Sequence, residues 1–182
     1  MKQGGNKMNE VIKAIKERRS IRHFKAEMPE KEKLEQIVEA GLYAASGKGR
    51  QSSIILVITN KDIRNKLMIA NQKVLNAPTD QDPFYGAPVI LVVLAPKEEA
   101  NHIYDGSLVM GNLMLATHAL GLGGIWINRA KQEFEEEEWK QLLKDLGVEG
   151  EYEGIGHCAI GYIDGEVPEA APRKENRVYW VE

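Results

Sequence analysis

Arg18-Arg19-Ser20-Ile21-Arg22 gathers three guanidinium groups and a hydroxyl within five residues, just before Phe24. Arginine presents five donors in a planar fork and keeps its charge, so it matches phosphate geometry better than lysine does. A second basic point, Arg173-Lys174, follows Pro172 near the other end of the chain. Folding could bring both clusters onto one phosphate. Basic residues at the end of a helix also complement its macrodipole, and the stretch alone does not choose between the two roles.

The glycine-rich segments near these clusters are not nucleotide loops. In Ser46-Gly47-Lys48-Gly49-Arg50-Gln51 no Ser or Thr follows Lys48, Gly41 is one residue too far away, and the order is helix to strand, whereas a P-loop runs strand to helix. Gly121-Leu122-Gly123-Gly124 lacks the last glycine of a dinucleotide fingerprint and leaves a helix instead of opening one. Both read better as tight turns that bring backbone amides close to something flat. His23, His102, His118 and His157 have no metal-ligand spacing and no acidic cluster beside them, so no metal site is expected. His157 and Cys158 are strand neighbours and must point to opposite faces. Residues 135–138, all glutamate, read as a solvated face. Asn112 and His118, inside an apolar helix, are expected to be satisfied by neighbouring backbone. Trp126 reads as core or as lining of a cofactor pocket.

The bulk numbers limit the partners. The 182 residues carry 24 Lys and Arg against 27 Asp and Glu, a net charge of −3, which gives no long-range pull toward nucleic acid or an anionic membrane. Cys158 is the one cysteine, which excludes an intrachain disulfide and fits a reducing compartment. Residues 1–7 are polar, without the apolar stretch of a signal peptide. The longest apolar run, residues 108–120, is interrupted by Gly111, Asn112 and His118 and reads as a buried helix rather than a membrane span. A cytoplasmic protein is expected.

Periodicity places the elements. A first helix begins after Asn9 as N-cap and buries Val11, Ile12 and Ile15. A second starts near Pro29, with Leu34, Ile37, Val38 and Leu42 on one face. Residues 54–59 read as a strand covered on both faces, and a third helix follows Asn60. Residues 76–88 form a loop and residues 89–94 a second buried strand. A helix from Asp105, apolar on most sides, carries Gly111, Ala116 and Ala119 for close approach of another backbone. A short strand at residues 125–127, a helix at 133–146 and a strand at 155–163 complete the pattern. The tail ending Val178-Tyr179-Trp180-Val181 is apolar enough to be docked. The expectation is a flexible segment at residues 1–8 and one α+β domain over residues 9–182.

Taken in order, the motif from Arg18 to Phe24, Ala44-Ala45-Ser46-Gly47 with Gln51, Tyr85-Gly86-Ala87-Pro88, Leu120-Gly121-Leu122-Gly123-Gly124-Ile125-Trp126, Gly161-Tyr162 and Arg173-Lys174 resemble the FMN-dependent nitroreductase family. The resemblance covers nearly the whole chain. It implies a mixed β-sheet flanked by helices and an intertwined homodimer with FMN at its interface and the C-terminal arm on the partner. It places Arg18 and Ser20, with Arg19 beside them, on the ribityl phosphate, and Arg173 and Lys174 as the pair completing that site. Arg22 falls nearer the pyrimidine edge, while Ser46, Gln51 and Gly124 are further flavin contacts. Gly49 stands where the family usually has Asn, and Ser52-Ser53 replace a usual Pro-Trp.

The implied activity is hydride transfer from NADH or NADPH, by way of FMN, to a nitroaromatic, quinone or other small flat aromatic acceptor, with ping-pong kinetics. No side chain is named as catalytic, since the cofactor supplies the chemistry. The alternatives are a flavin- or nucleotide-binding regulatory protein without turnover, a specialised dehalogenase or oxidase on the same fold, and a non-flavin domain binding another phosphorylated ligand.

Overall fold

The computed structural model describes residues 8–76, 78 and 80–182, so the expected flexible segment lies, apart from Met8, outside the described residues. The helices are α1 (Glu10–Glu17), α2 (Lys31–Leu42), α3 (Lys61–Leu75), α4 (His102–Ala119), α5 (Ala130–Glu133) and α6 (Glu137–Asp145). The strands are β1 (Ile54–Ile58), β2 (Val89–Pro96), β3 (Gly123–Ile127) and β4 (Tyr152–Gly161). Asn9 and Asn60 cap α1 and α3, each Oδ1 accepting from two backbone N–H groups of the first turn. Asn112 donates to the Ala40 carbonyl at 2.9 Å, as its place in an apolar helix requires.

The sheet order is β1-β2-β4-β3, and all three pairings are antiparallel. The last strand in sequence enters between β2 and β3, which run parallel to each other, so each finds an antiparallel neighbour. A parallel element of the expected mixed sheet exists as the bridge between Ser20 and Gly124 at the outer side of β3.

Alternation along the strands divides the core. One face sets Ile90, Val92, Leu94, Ile125, Ile127 and Ala159 beneath α3, α5 and α6. The other packs Val89, Leu91, Val93, Cys158 and Ile160 against α2 and α4. All eight residues of β2 are buried. Each buried Val, Leu or Ile there contributes about 1.5–3 kcal/mol, making this strand the centre of stability. A register shift between Val93 and Leu94 leaves Ile155 as an extra residue on β4, directed at Gly106 of α4. Gly156 is required beneath Trp126, because a Cβ there would lie 2.5 Å from the indole nitrogen.

Several sequence expectations need correction. Val11, Ile12 and Ile15 are exposed by 59%, 49% and 54%, because no described residue covers that face of α1. β1, expected to be covered on both faces, is an edge strand with one buried residue, Ile58, and with Val57 exposed. The expected helix at 133–146 is two, because Glu133 and Phe134 turn into the core and the chain breaks before α6. The helix expected from Asp105 begins three residues earlier, at His102. The tail carries no helix or strand, and Val178 to Val181 are exposed.

Candidate functional site

Helix α1 ends at Arg18, whose N–H closes the last turn on the Ala14 carbonyl at 2.9 Å while its own backbone is extended. The chain then runs beside β3, where Ser20 bridges to Gly124 and Ile21 N–H donates to the Gly124 carbonyl at 3.3 Å. Residues 18–21 and Gly124, far apart in sequence, thus share one site. The Arg19 guanidinium turns back, its Nη1 donating to the carbonyls of Lys16 and Arg18 at 2.8 and 2.7 Å. Arg18 Nη1 and Arg19 Nε are buried without a hydrogen-bond partner among the described residues. A buried charged donor without an acceptor is costly, and an anion is the partner whose charge and geometry relieve it. Arg22 points to solvent.

Cys158 is wholly buried on β4, within range of the Arg18 charge. Burial pushes its thiol up to about 12, while the Arg18 charge pulls the other way. Thiolate is the reactive form. The native protein is therefore expected to be inert to a thiol-specific disulfide reagent at pH 8 and to react stoichiometrically in denaturant. Fast labelling of the native protein would contradict this burial.

The second predicted loop is built separately. Ser46 Oγ accepts from the Gln51 N–H at 2.9 Å, and the Gly47 N–H lies between both carboxylate oxygens of Asp105, at 3.0 and 3.1 Å. Lys48 and Gln51 sit at φ +55° and +52°, left-handed positions for non-glycine residues. The Oγ atoms of Ser52 and Ser53 are buried without partners among the described residues. Ser46, Gln51, both serines and Asp105 line a small cavity of about 120 Å³. Sequence reasoning passed over Asp105 because it reads simply as an acidic residue in a first helical turn.

The single chain does not bring every predicted residue together. Arg173 directs Nε and Nη2 to the Ala171 carbonyl, two residues back, and with Lys174 it lies in the exposed tail. Among the described residues, no hydrogen bond or ion pair joins either the tail pair or the loop at 46–53 to residues 18–22.

Between α1 and α4 runs an apolar groove of about 350 Å³, lined by Val11, Ala14, Asn112, Leu115, Ala116 and Ala119. Beside it Tyr104, Leu108 and Gly111 continue a helical stripe of α4 that faces outward, with Tyr104 exposed by 71%.

A surface triad closes the other side of the 18–24 segment. Phe24 bridges to Ile163, and Lys25 N–H donates to the Tyr162 carbonyl. The Tyr162 hydroxyl donates to Glu30, and Lys33 reaches both. The Tyr162 hydroxyl, the backbone N–H and the Lys33 ammonium hold Glu30 at about 2 against its usual 4.5. A depressed carboxylate stabilises the fold above its unfolded value and loses that contribution as pH falls through its folded value. Acid titration should therefore show a small loss of stability between about pH 4.5 and 2 that Glu30→Gln lacks. The triad is solvent-exposed, so the difference should shrink in high salt.

No helix among the described residues is long and apolar enough to cross a membrane. The chain is 29% identical over 175 residues to the NADPH-flavin oxidoreductase of Vibrio harveyi, covering 91% of this chain and 70% of that protein. The crystal structure of a nitroreductase with bound FMN from Bacteroides fragilis superposes with a TM-score of 0.86 at 25% identity, over 96% of this chain and 100% of that one. A nitroreductase with bound FMN from Desulfitobacterium hafniense gives 0.84 at 29% identity, again over 96% and 100%. The family model for nitroreductases matches residues 15–162, a span that opens just before the arginine cluster and closes at the end of the sheet, and the chain belongs to the nitroreductase family.

Proposed function

We propose that this chain is an FMN-dependent oxidoreductase that takes hydride from NADH or NADPH and passes it to nitroaromatics, quinones or similar flat acceptors by a ping-pong cycle. The observation that carries the reading is the pair of buried, unpartnered guanidinium nitrogens of Arg18 and Arg19 beside the Ser20–Gly124 bridge. Those donors suit the FMN phosphate, with Ser20 adding a hydroxyl. Gly124 fixes Ser20 beside them through that bridge, and Arg22 follows in the same segment as a further positive charge. Bound FMN supplies the hydride chemistry, while the protein binds and orients it.

The site needs a second copy of the chain. Among the described residues, no hydrogen bond or ion pair joins Ser46, Gln51, Arg173 or Lys174 to Arg18, and nothing covers the apolar stripe of α1 and α4. A homodimer would cover that stripe and carry one copy's basic tail pair and loop to the other copy's arginines. Exposed apolar patches of this kind mark protein interfaces.

The test is the visible spectrum of the purified protein, before and after NADH or NADPH under anaerobic conditions, with its mass measured by light scattering. Flavin bands that bleach, in a particle of twice the chain mass, support the reading. Bands that persist with both donors would favour a flavin binder without turnover. A protein that stays colourless after added FMN would overturn the proposal.

A further inference from the structure

Asn71, Glu133 and His157 are each 0% exposed and meet beneath the exit of β3. His157 Nε2 lies 2.7 Å from Glu133 Oε2, and its Nδ1 lies 3.1 Å from the Ile127 carbonyl. Both ring nitrogens thus face oxygen atoms, so the ring is held at both ends. Asn71 Nδ2 donates to the other Glu133 oxygen and, at 3.1 Å, to the Asn128 carbonyl. Asn71 Oδ1 accepts from Arg129 Nε at 2.8 Å. Three consecutive residues, Ile127, Asn128 and Arg129, are therefore held by one buried network. The third is strained, with Arg129 at φ +84° in the left-handed region.

Packing does not explain this arrangement. Buried ion pairs are rarely better for stability than apolar side chains of similar volume, and what they provide is direction. The direction here bears on β3. Pairing with β4 occupies one edge of that strand, while the Gly124 carbonyl turns to the opposite edge to receive Ile21 N–H. By the two-residue period of a strand, Trp126 presents its backbone to that same open edge. Its indole Nε1 is buried without a partner among the described residues, and in register Trp126 pairs with Cys158, whose thiol feels the Arg18 charge. The edge of β3 away from β4 thus runs from the Ile21 hydrogen bond at Gly124, in the segment that carries the arginines, to the open stretch at Trp126 and the exit turn, where the network grips the chain.

We propose that Asn71, Glu133 and His157 are positioning residues that fix the open edge and exit turn of β3 against the flavin ring, from the opposite face of the sheet and without touching it. This rests on the flavin reading above. Fixed backbone geometry matters because hydride transfer tolerates little displacement of the reacting atoms, and supporting hydrogen bonds of this kind commonly set activity.

The experiment uses the full chain loaded with FMN. In Glu133→Gln the amide can accept from Asn71 and donate to a neutral His157, so the shape is kept while the ion pair is lost. Arg129→Gly accepts φ +84° freely and removes only the link to Asn71. The expected result for Glu133→Gln is a changed visible circular dichroism of bound flavin and a reduction rate at saturating donor lowered about tenfold. Arg129→Gly should shift both in the same direction by less, and it decides the matter if Glu133→Gln fails to fold. Folded, yellow variants with wild-type dichroism and reduction rate would overturn this proposal and leave the flavin reading intact. A wild-type chain that takes up no FMN would overturn both.

Discussion

Replacing Arg18 and Arg173 together by alanine is expected to weaken FMN binding roughly a hundredfold or more while leaving the fold standing. Each charge-assisted hydrogen bond contributes about 1.5–3 kcal/mol, and about 1.4 kcal/mol is a factor of ten in affinity. Among the described residues Arg18 Nη1 has no hydrogen-bond partner, and Arg173 bonds to the Ala171 carbonyl two residues back. Their loss should therefore show in ligand affinity and hardly at all in unfolding. Quenching of free FMN fluorescence on titration measures this directly. Arg18→Ala alone should account for about half of the effect on a logarithmic scale. An unchanged affinity in the double variant, with a normal melt, would place the phosphate elsewhere.

Local chemistry was legible where a short-range rule governs it. Asn9 and Asn60 announce the starts of α1 and α3, the uninterrupted apolar run announces β2, and the amide of Asn112 finds backbone as expected. What periodicity cannot say is whose chain covers an apolar stripe. Val11, Ile12 and Ile15 have the spacing of core positions, yet among the described residues nothing packs over them. The same limit applies to Arg173 and Lys174: their type suggested a phosphate, but among the described residues the exposed pair makes no bond to Arg18.

Long-range pairings left still less trace. Glu133 sits among acidic and polar neighbours and looks like one more solvated carboxylate. Its burial follows from the break between α5 and α6 and from His157, which arrives on a strand twenty-four residues later. The glycines of β4 were visible, but not that Gly154 admits the Ala130 backbone or that Gly156 lies under Trp126. Such facts depend on which elements become neighbours, and only the fold decides that.

His157→Leu should be the most destabilising of the single changes considered, by about 3–5 kcal/mol, because it leaves a buried carboxylate without its counter-ion. Glu133 is 0% exposed and would keep only the Asn71 amide as a partner, while the edge-on contact between His157 and Phe84 would also be lost. Against a total stability of roughly 5–15 kcal/mol, such a loss brings the protein close to unfolding at ambient temperature. Urea melts give the measurement: the midpoint should fall with the slope unchanged. The double change Glu133→Leu with His157→Leu separates a missing partner from a missing contact. Removing both charges eliminates the stranded carboxylate, and apolar replacements of buried pairs are often neutral or better. The double variant should therefore regain much of what the single one loses, although Asn71 gives up one acceptor. If it is instead less stable than His157→Leu, the network's hydrogen bonds outweigh its charges in holding α5 to the sheet.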